Sequence, residues 1–406
     1  MSLYTAEGAG IVSDDGPAVD VVEVPRAPGA LAAGRIPDGV LDRIMVDVIH
    51  DGENIPPRYL VDAHAAPIAF ERFAADYWLE RDWGAAMVAE AMCRHLGLRR
   101  FHRVRVARVL LDFGRFPGVT AADAPYLDRY AINYPFSDWL SFEQKQRLLA
   151  NEYDGIASHY DQHVRNTITK IAIHTYDKHN RSGTTRPLLS VCSQALSYRG
   201  EHELPNHFFD PIYPDGLAEY TADRVLRDRL SLSIEKAGYR VAHNYPYALP
   251  DGSVEVRSQV WSFFVYLQRH YEDANPETAD DLGHRMAWRM LQDTNLRSTE
   301  SEALRSYLHM FRRAPTGREA DFEAGRRAYE RIASYVAAHR GDLVDGYRLS
   351  PERLSSIGIE VRKDLVWSFD GKRPVAPRPE MADAIGRVLA EALLVYLSED
   401  RAFDAR

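Results

Sequence analysis

A chain of 406 residues can bury one large core or two modest ones, and its 45% hydrophobic and 27% charged residues are those of a globular protein. A net charge of −9 argues against a nucleic-acid surface, and no window approaches the roughly 18–20 apolar residues of a membrane span. Residues 1–35 combine Gly, Ala, Pro and acidic residues without a basic start and an apolar block. They read as a loosely ordered leader of a cytoplasmic protein rather than a signal peptide.

Residues 41–50 then read as a strand. Residues 83–97 read as a helix stopped by Gly97, and residues 103–112 as a second strand. The preceding basic run, Arg99 to Arg105, alternates with apolar residues and reads as a strand with one solvated face. A long helical stretch over 142–170 leads to strands at 171–174 and 188–193, and residues 221–238 form a helix with a Thr start and a Gly stop. Strands alternating with helices predict a three-layer α/β/α fold with a central, mostly parallel mixed sheet. Four helical patterns over 258–273, 278–293, 298–313 and 318–339 interrupt this rhythm. Strand character returns at 357–366, and a last amphipathic helix covers 379–398. The expected division is a leader at 1–40, an α/β domain from 41–257 and 346–406, and a helical insertion at 258–345. Cys93 and Cys192 lie in apolar segments and read as buried thiols.

The chemistry concentrates at the end of the first strand, in His50-Asp51-Gly52-Glu53-Asn54-Ile55-Pro56. An imidazole and a carboxylate three positions apart supply two of the three protein ligands of a catalytic zinc, and His174 at another strand end is the candidate third. In a mostly parallel sheet, ligands gather beyond the carboxyl ends of the strands. His159 and His163 also show an i, i+4 ligand spacing, but without a carboxylate to complete them they read as a helix-surface pair.

Five segments, in order, resemble the N-formylglutamate amidohydrolase family, relatives of the zinc carboxypeptidases and aspartoacylase. The His50–Pro56 segment resembles that family's His-Ser-Gly-Glu-x-x-Pro opening, and Arg108-Val-Leu-Leu-Asp-Phe-Gly-Arg115 its Arg-x-x-x-Asp-x-Asn-Arg segment. Ile173-His174 is similar to the family's Asp-x-His strand end, Asn244-Tyr-Pro-Tyr247 to its Asn-x-Pro-Tyr, and Gly358-Ile-Glu-Val-Arg-Lys-Asp-Leu365 to its Ile-Glu-Ile-Arg-x-Asp-Leu. Gly114 stands where the family has Asn, Ala172 where it has Asp, and the helical insertion is larger than a simple deformylase needs.

The resemblance implies a zinc-dependent hydrolase acting on an N-formyl, N-acyl or peptide-like amide of a small, carboxylate-bearing, amino-acid-derived substrate. It gives a single zinc to His50, Glu53 and His174. Glu360 becomes the proton shuttle, with Glu255 in the similar Ser-Val-Glu-Val-Arg segment as its rival, and Arg108 the oxyanion stabiliser. Arg115, Tyr247 and Arg362 would hold substrate. The insertion is expected to wall the pocket or to provide a homodimer contact. The alternative is a catalytically idle relative that binds a small molecule or a protein. No nucleic-acid or membrane partner is expected.

Overall fold

The structure is a computed structural model that describes residues 10–27, 29–117, 130–180, 182–195, 210–218, 220–246, 248–250 and 252–400. Seven runs rich in β-branched and aromatic residues form one sheet. They are β1 (Val19–Glu23), β2 (Ile44–Val48), β3 (Arg100–Val104), β4 (Thr169–Tyr176), β5 (Leu189–Cys192), β6 (Val241–His243) and β7 (Ser355–Arg362). Their order is β1-β3-β2-β4-β7-β5-β6. The pairs β3/β2, β2/β4, β4/β7 and β5/β6 are parallel, whereas β1/β3 and β5/β7 are antiparallel. The chain is therefore an α/β protein with a mixed, mostly parallel central sheet.

Strand alternation gives the two faces of this sheet different chemistry. Val46, Val48, Ile171, Ile173, Ile357 and Ile359 share a dry core with residues of the Ala85–Leu96, Arg224–Lys236 and Pro379–Val395 helices. The register places Asp47 beside His102 and Ala172, and His174 beside Glu360, on the opposite face. That face is covered by the Asp154–Val164 helix and the first turns of the Val254–Ala274 helix. At its centre the Lys170 ammonium lies 2.8 Å from Asp47 and 3.2 Å from Glu255, and Tyr160 donates to Asp47 at 2.9 Å. All four groups are buried, and the two carboxylates raise the Lys170 pKa although burial opposes its charge.

Several expected boundaries move. Residues 19–23, inside the expected loose leader, form β1 because a Val-rich run finds a partner edge in β3. The strand expected over 103–112 stops at Val104, and the chain from Arg105 to Arg115 proceeds through turns. The expected helix over 142–170 is divided into Phe142–Leu148, a π turn at Leu149–Tyr153, and Asp154–Val164. The helical succession after residue 250 consists of Val254–Ala274, Leu282–Gln292, Thr299–Leu308 and Glu319–Leu349. Ser253, Asp281 and Ser298 cap the first three, each accepting a backbone N–H of the first turn. These helices enclose a second apolar cluster containing Phe263, Phe264, Leu267, Met286, Leu304 and Phe322. Phe311, within the helical pattern expected over 298–313, lies beyond the Thr299–Leu308 helix and is 76% exposed. Cys93 and Cys192 are buried thiols.

Candidate metal centre

Strands β2, β4 and β7 lie side by side and run the same way, so their carboxyl ends share one edge of the sheet. His50 follows β2 by two residues, His174 lies near the end of β4, and Glu360 occupies the register position opposite His174 on β7. Asp82 arrives from outside the sheet. Its N–H donates to the His50 carbonyl at 2.9 Å, which fixes it beside that histidine. Two residues later Gly84, at φ +87°, turns the chain into the Ala85–Leu96 helix. A Cβ at Gly84 would stand 2.6 Å from a Val366 methyl, so both the turn and the close packing require glycine. Asp51 holds the same junction, accepting from Ala86 N at 3.1 Å and Arg81 Nε at 2.7 Å. A carboxylate at a helix N-terminus is also electrostatically favourable.

His174 Nδ1 lies 3.1 Å from Asp82 Oδ2, and His50 Nδ1 lies 3.6 Å from the same oxygen. One nitrogen of each ring and one Asp82 oxygen all fall within 4.8 Å of one another. On the far side of His50, Nε2 is 2.7 Å from Asp112 Oδ1. Asp112 is itself held by Gly114 N at 2.9 Å and by Arg108 Nε and Arg115 Nε, each at 3.1 Å. An imidazole whose rear nitrogen meets a carboxylate has its tautomer and orientation set for presenting the other nitrogen to a metal. Gly114, the departure from the family pattern, fits this arrangement. A Cβ there would lie 3.0 Å from Asp112 Oδ1 and 3.2 Å from His50 Nε2, crowding the pair.

Burial penalises the Asp82 carboxylate, but the hydrogen-bonded histidines and Arg108 outweigh it and lower its pKa. Asp112 is likewise held well below the usual carboxylate range, against burial, by His50, Arg108 and Arg115. For His174, burial disfavours the charged ring. The Asp82 hydrogen bond and the Glu360 charge prevail and push it up to about 9. The centre is therefore a buried site that attracts positive charge.

Glu53, expected as a ligand, does not join this group. Asn54 pairs with the backbone of residues 105–106, and this reorients the chain after His50. The Glu53 carboxylate meets Arg103 and lies 3.2 Å from Arg81 Nη2, so it braces two arginines outside the His50–His174 cluster. Asp82 is the carboxylate that stands with His50 and His174. Arg108 and Arg115 both reach Asp112. Arg108 also lies 3.5 Å from Asp82, and Arg115 donates to Asn133 at 2.9 Å. Their side chains remain 23% and 25% exposed, so both keep an open side. Arg362 is paired with Asp364 at 2.6 Å just past the edge where Glu360 sits. Tyr247 lies outside the described residues. Glu255, the rival of Glu360, is committed to Lys170, and Lys170 and His174 hold it down to about 2 although burial raises it.

The sequence reading missed Asp82, which lies 32 positions from His50 and is no part of a spaced pair. The available signal was an acid immediately before a Trp-Gly helix entry. It also missed His102, which sits on the buried side of β3 and contacts both His159 and His163. That histidine pair is therefore half-buried against His102 rather than on a fully exposed helix surface. Burial and mutual repulsion lower His102 to about 3 and His159 to about 4.

Two imidazoles and a carboxylate are among the protein donor sets of a catalytic zinc, and the residues at the sheet edge fit that ion. No family model matches the chain, and no curated protein does. Among solved structures, a gene product of Agrobacterium tumefaciens is similar at 14% identity and a TM-score of 0.41, covering 93% of this chain and 95% of that one. The N-formylglutamate amidohydrolase of Ralstonia eutropha JMP134 is similar at 14% identity and a TM-score of 0.47, over 94% of this chain and 97% of that one.

Proposed function

We propose that the chain is a zinc-dependent amidohydrolase acting on an N-formyl or N-acyl amide of a small, carboxylate-bearing substrate. The convergence of His50, Asp82 and His174, with Asp112 behind His50, is the observation that carries this reading. The ordered sequence resemblance supports it. His50, Asp82 and His174 would hold the ion, with Asp82 in the place first given to Glu53. Zinc held in this way supplies Lewis-acid chemistry, activating water and polarising a carbonyl.

Glu360 is buried beside His174 and faces the same edge. A carboxylate oxygen of Glu360 takes the proton from the attacking water and returns it to the leaving amine. Arg108 neutralises charge that develops on the scissile carbonyl oxygen. Arg115, steadied by Asp112 and Asn133, presents the open part of its guanidinium to a substrate carboxylate. Arg362 offers a second cation on the far side of Glu360.

Zinc content and hydrolysis of N-formyl, N-acetyl and dipeptide substrates are to be measured on the wild type and on Asp82→Ala. The proposal expects a zinc-loaded, active wild type and a variant that has lost both the zinc of this cluster and the activity. A wild type that takes up no zinc at this cluster, or an equally active Asp82→Ala, refutes it.

A further inference from the structure

We propose that His102, His159 and His163 form a second site, for a divalent late transition ion such as zinc, which fastens the Asp154–Val164 helix to strand β3. His159 and His163 stand one turn apart on the helix, and their rings stack at 4.2 Å between centroids. The His102 ring lies 5.0 Å from one and 4.6 Å from the other, and its Nδ1 is 2.8 Å from His159 Nε2. One nitrogen from each of the three rings falls within a mutual 4.8 Å. Ligand nitrogens around a tetrahedral ion are separated by roughly 3.3 Å, given zinc–nitrogen bonds of about 2.0–2.1 Å. Ring rotations that move each nitrogen by up to about an ångström would therefore seat one.

The hydrogen-bond pattern points the same way. His163 Nδ1 is 2.8 Å from the His159 carbonyl, which can only accept, so its proton is on Nδ1 and its Nε2 carries the lone pair. Between His102 and His159 a single hydrogen bridges two nitrogens, and an ion can take its place by accepting a lone pair from each once that proton moves to the other nitrogen of its own ring. The nearby Asp47 carboxylate is engaged by Lys170 and Tyr160, so the cluster's donors are imidazoles alone. Neutral nitrogen donors of this kind suit zinc, copper and nickel rather than magnesium or calcium. His102 is buried while His159 and His163 are partly exposed, which leaves a route of entry and a coordination position for water.

The full chain is stripped with a chelator and titrated with zinc, and in parallel with cobalt as a spectroscopic probe. The background is Asp82→Ala/His174→Ala, which removes two of the three ligands of the sheet-edge group. That protein is expected to bind one zinc per chain, to show cobalt ligand-field bands and to melt at a higher temperature with zinc. Adding His159→Ala should weaken binding at least 100-fold and remove the bands and the melting shift. A background protein that binds no zinc overturns the proposal even if the further variant fails to fold. Binding unchanged by His159→Ala also overturns it. A wild type that holds a single zinc in all, lost with His159→Ala but retained in Asp82→Ala/His174→Ala, would establish this site while refuting the hydrolytic centre, so the two failures are distinguishable.

Discussion

The two histidine clusters sit on the same face of one sheet and contrast in the charge of their neighbours. At the strand ends, Asp82, Asp112 and Glu360 surround His50 and His174, and the His174 ring is pushed up to about 9. Beside β3 three imidazoles face one another, and His102 is held down to about 3. Burial opposes the charged ring at both places, so the neighbours decide the sign. A carboxylate-lined centre holds a dication by charge as well as by donor strength. An all-imidazole cluster relies on its lone pairs, so protons compete for it only once the pH falls.

The strongest test of this contrast is the loss of a carboxylate that touches the rings. Asp82→Ala should abolish zinc at the strand ends and reduce kcat/KM to background, a fall of at least about 10³, while Glu53→Gln should retain both. If Glu53→Gln lost the metal and Asp82→Ala did not, the original pairing of Glu53 with His50 would be reinstated. Glu360→Gln should keep zinc and substrate affinity and lower kcat by roughly 10²–10⁴. Glu255→Gln should act differently, because it leaves the Lys170 charge buried with one carboxylate fewer. A stability loss of about 3–5 kcal/mol by denaturant unfolding is expected, in the range for a broken buried pair. A kcat loss without a stability loss would make Glu255 the shuttle.

Smaller effects separate the clusters by pH. Burial, His159, His163, Arg100 and Lys170 depress the folded pKa of His102 below its unfolded value near 6.5. The linked stability is therefore present above about pH 6.5 and is lost as pH falls toward the folded value of about 3. The metal-free protein should lose at least about 3 kcal/mol between pH 7 and 4, mostly through His102, and a His102→Gln/His159→Gln protein should lose less. Identical acid unfolding curves for the two would show that the histidines are solvated on average. The smallest change is expected from Arg115→Ala. It should weaken acidic substrates by about 1.5–3 kcal/mol and leave an amidated analogue unaffected.

How much of this could be read in the sequence varied with distance along the chain. The sheet, its mostly parallel pairing and the positions of His50 and His174 near strand ends follow from short β-branched runs, which report locally. The ligand role given to Glu53 assumed that the geometry after His50 stays regular. The backbone pairing of Asn54 with residues 105–106 changes it, a contact between segments some 50 positions apart. Asp82 depends on the same kind of contact, its N–H on the His50 carbonyl. Strand β1 was hidden because residues 1–35 were judged on composition, which averages away the Val19-Asp-Val-Val-Glu23 run.

The Val254–Ala274 helix has a consequence for how the molecule can move. Its first turn delivers Glu255 to Lys170 and packs Val254 into the sheet core, while Phe263, Phe264 and Leu267 are rooted in the second apolar cluster. Arg257 pins the same turn to the Phe113 carbonyl, the Tyr153 hydroxyl and Asn295. The Glu319–Leu349 helix carries non-helical backbone at His339, but the Val254–Ala274 helix is helical throughout. It is a stiff lever without a joint. A torque on the helical segment, from a partner or a ligand, would be transmitted along it to the Glu255 carboxylate and so to the field around His174. The segment is tied to the sheet layer through Glu255 and Arg257 rather than hung from it as a free flap.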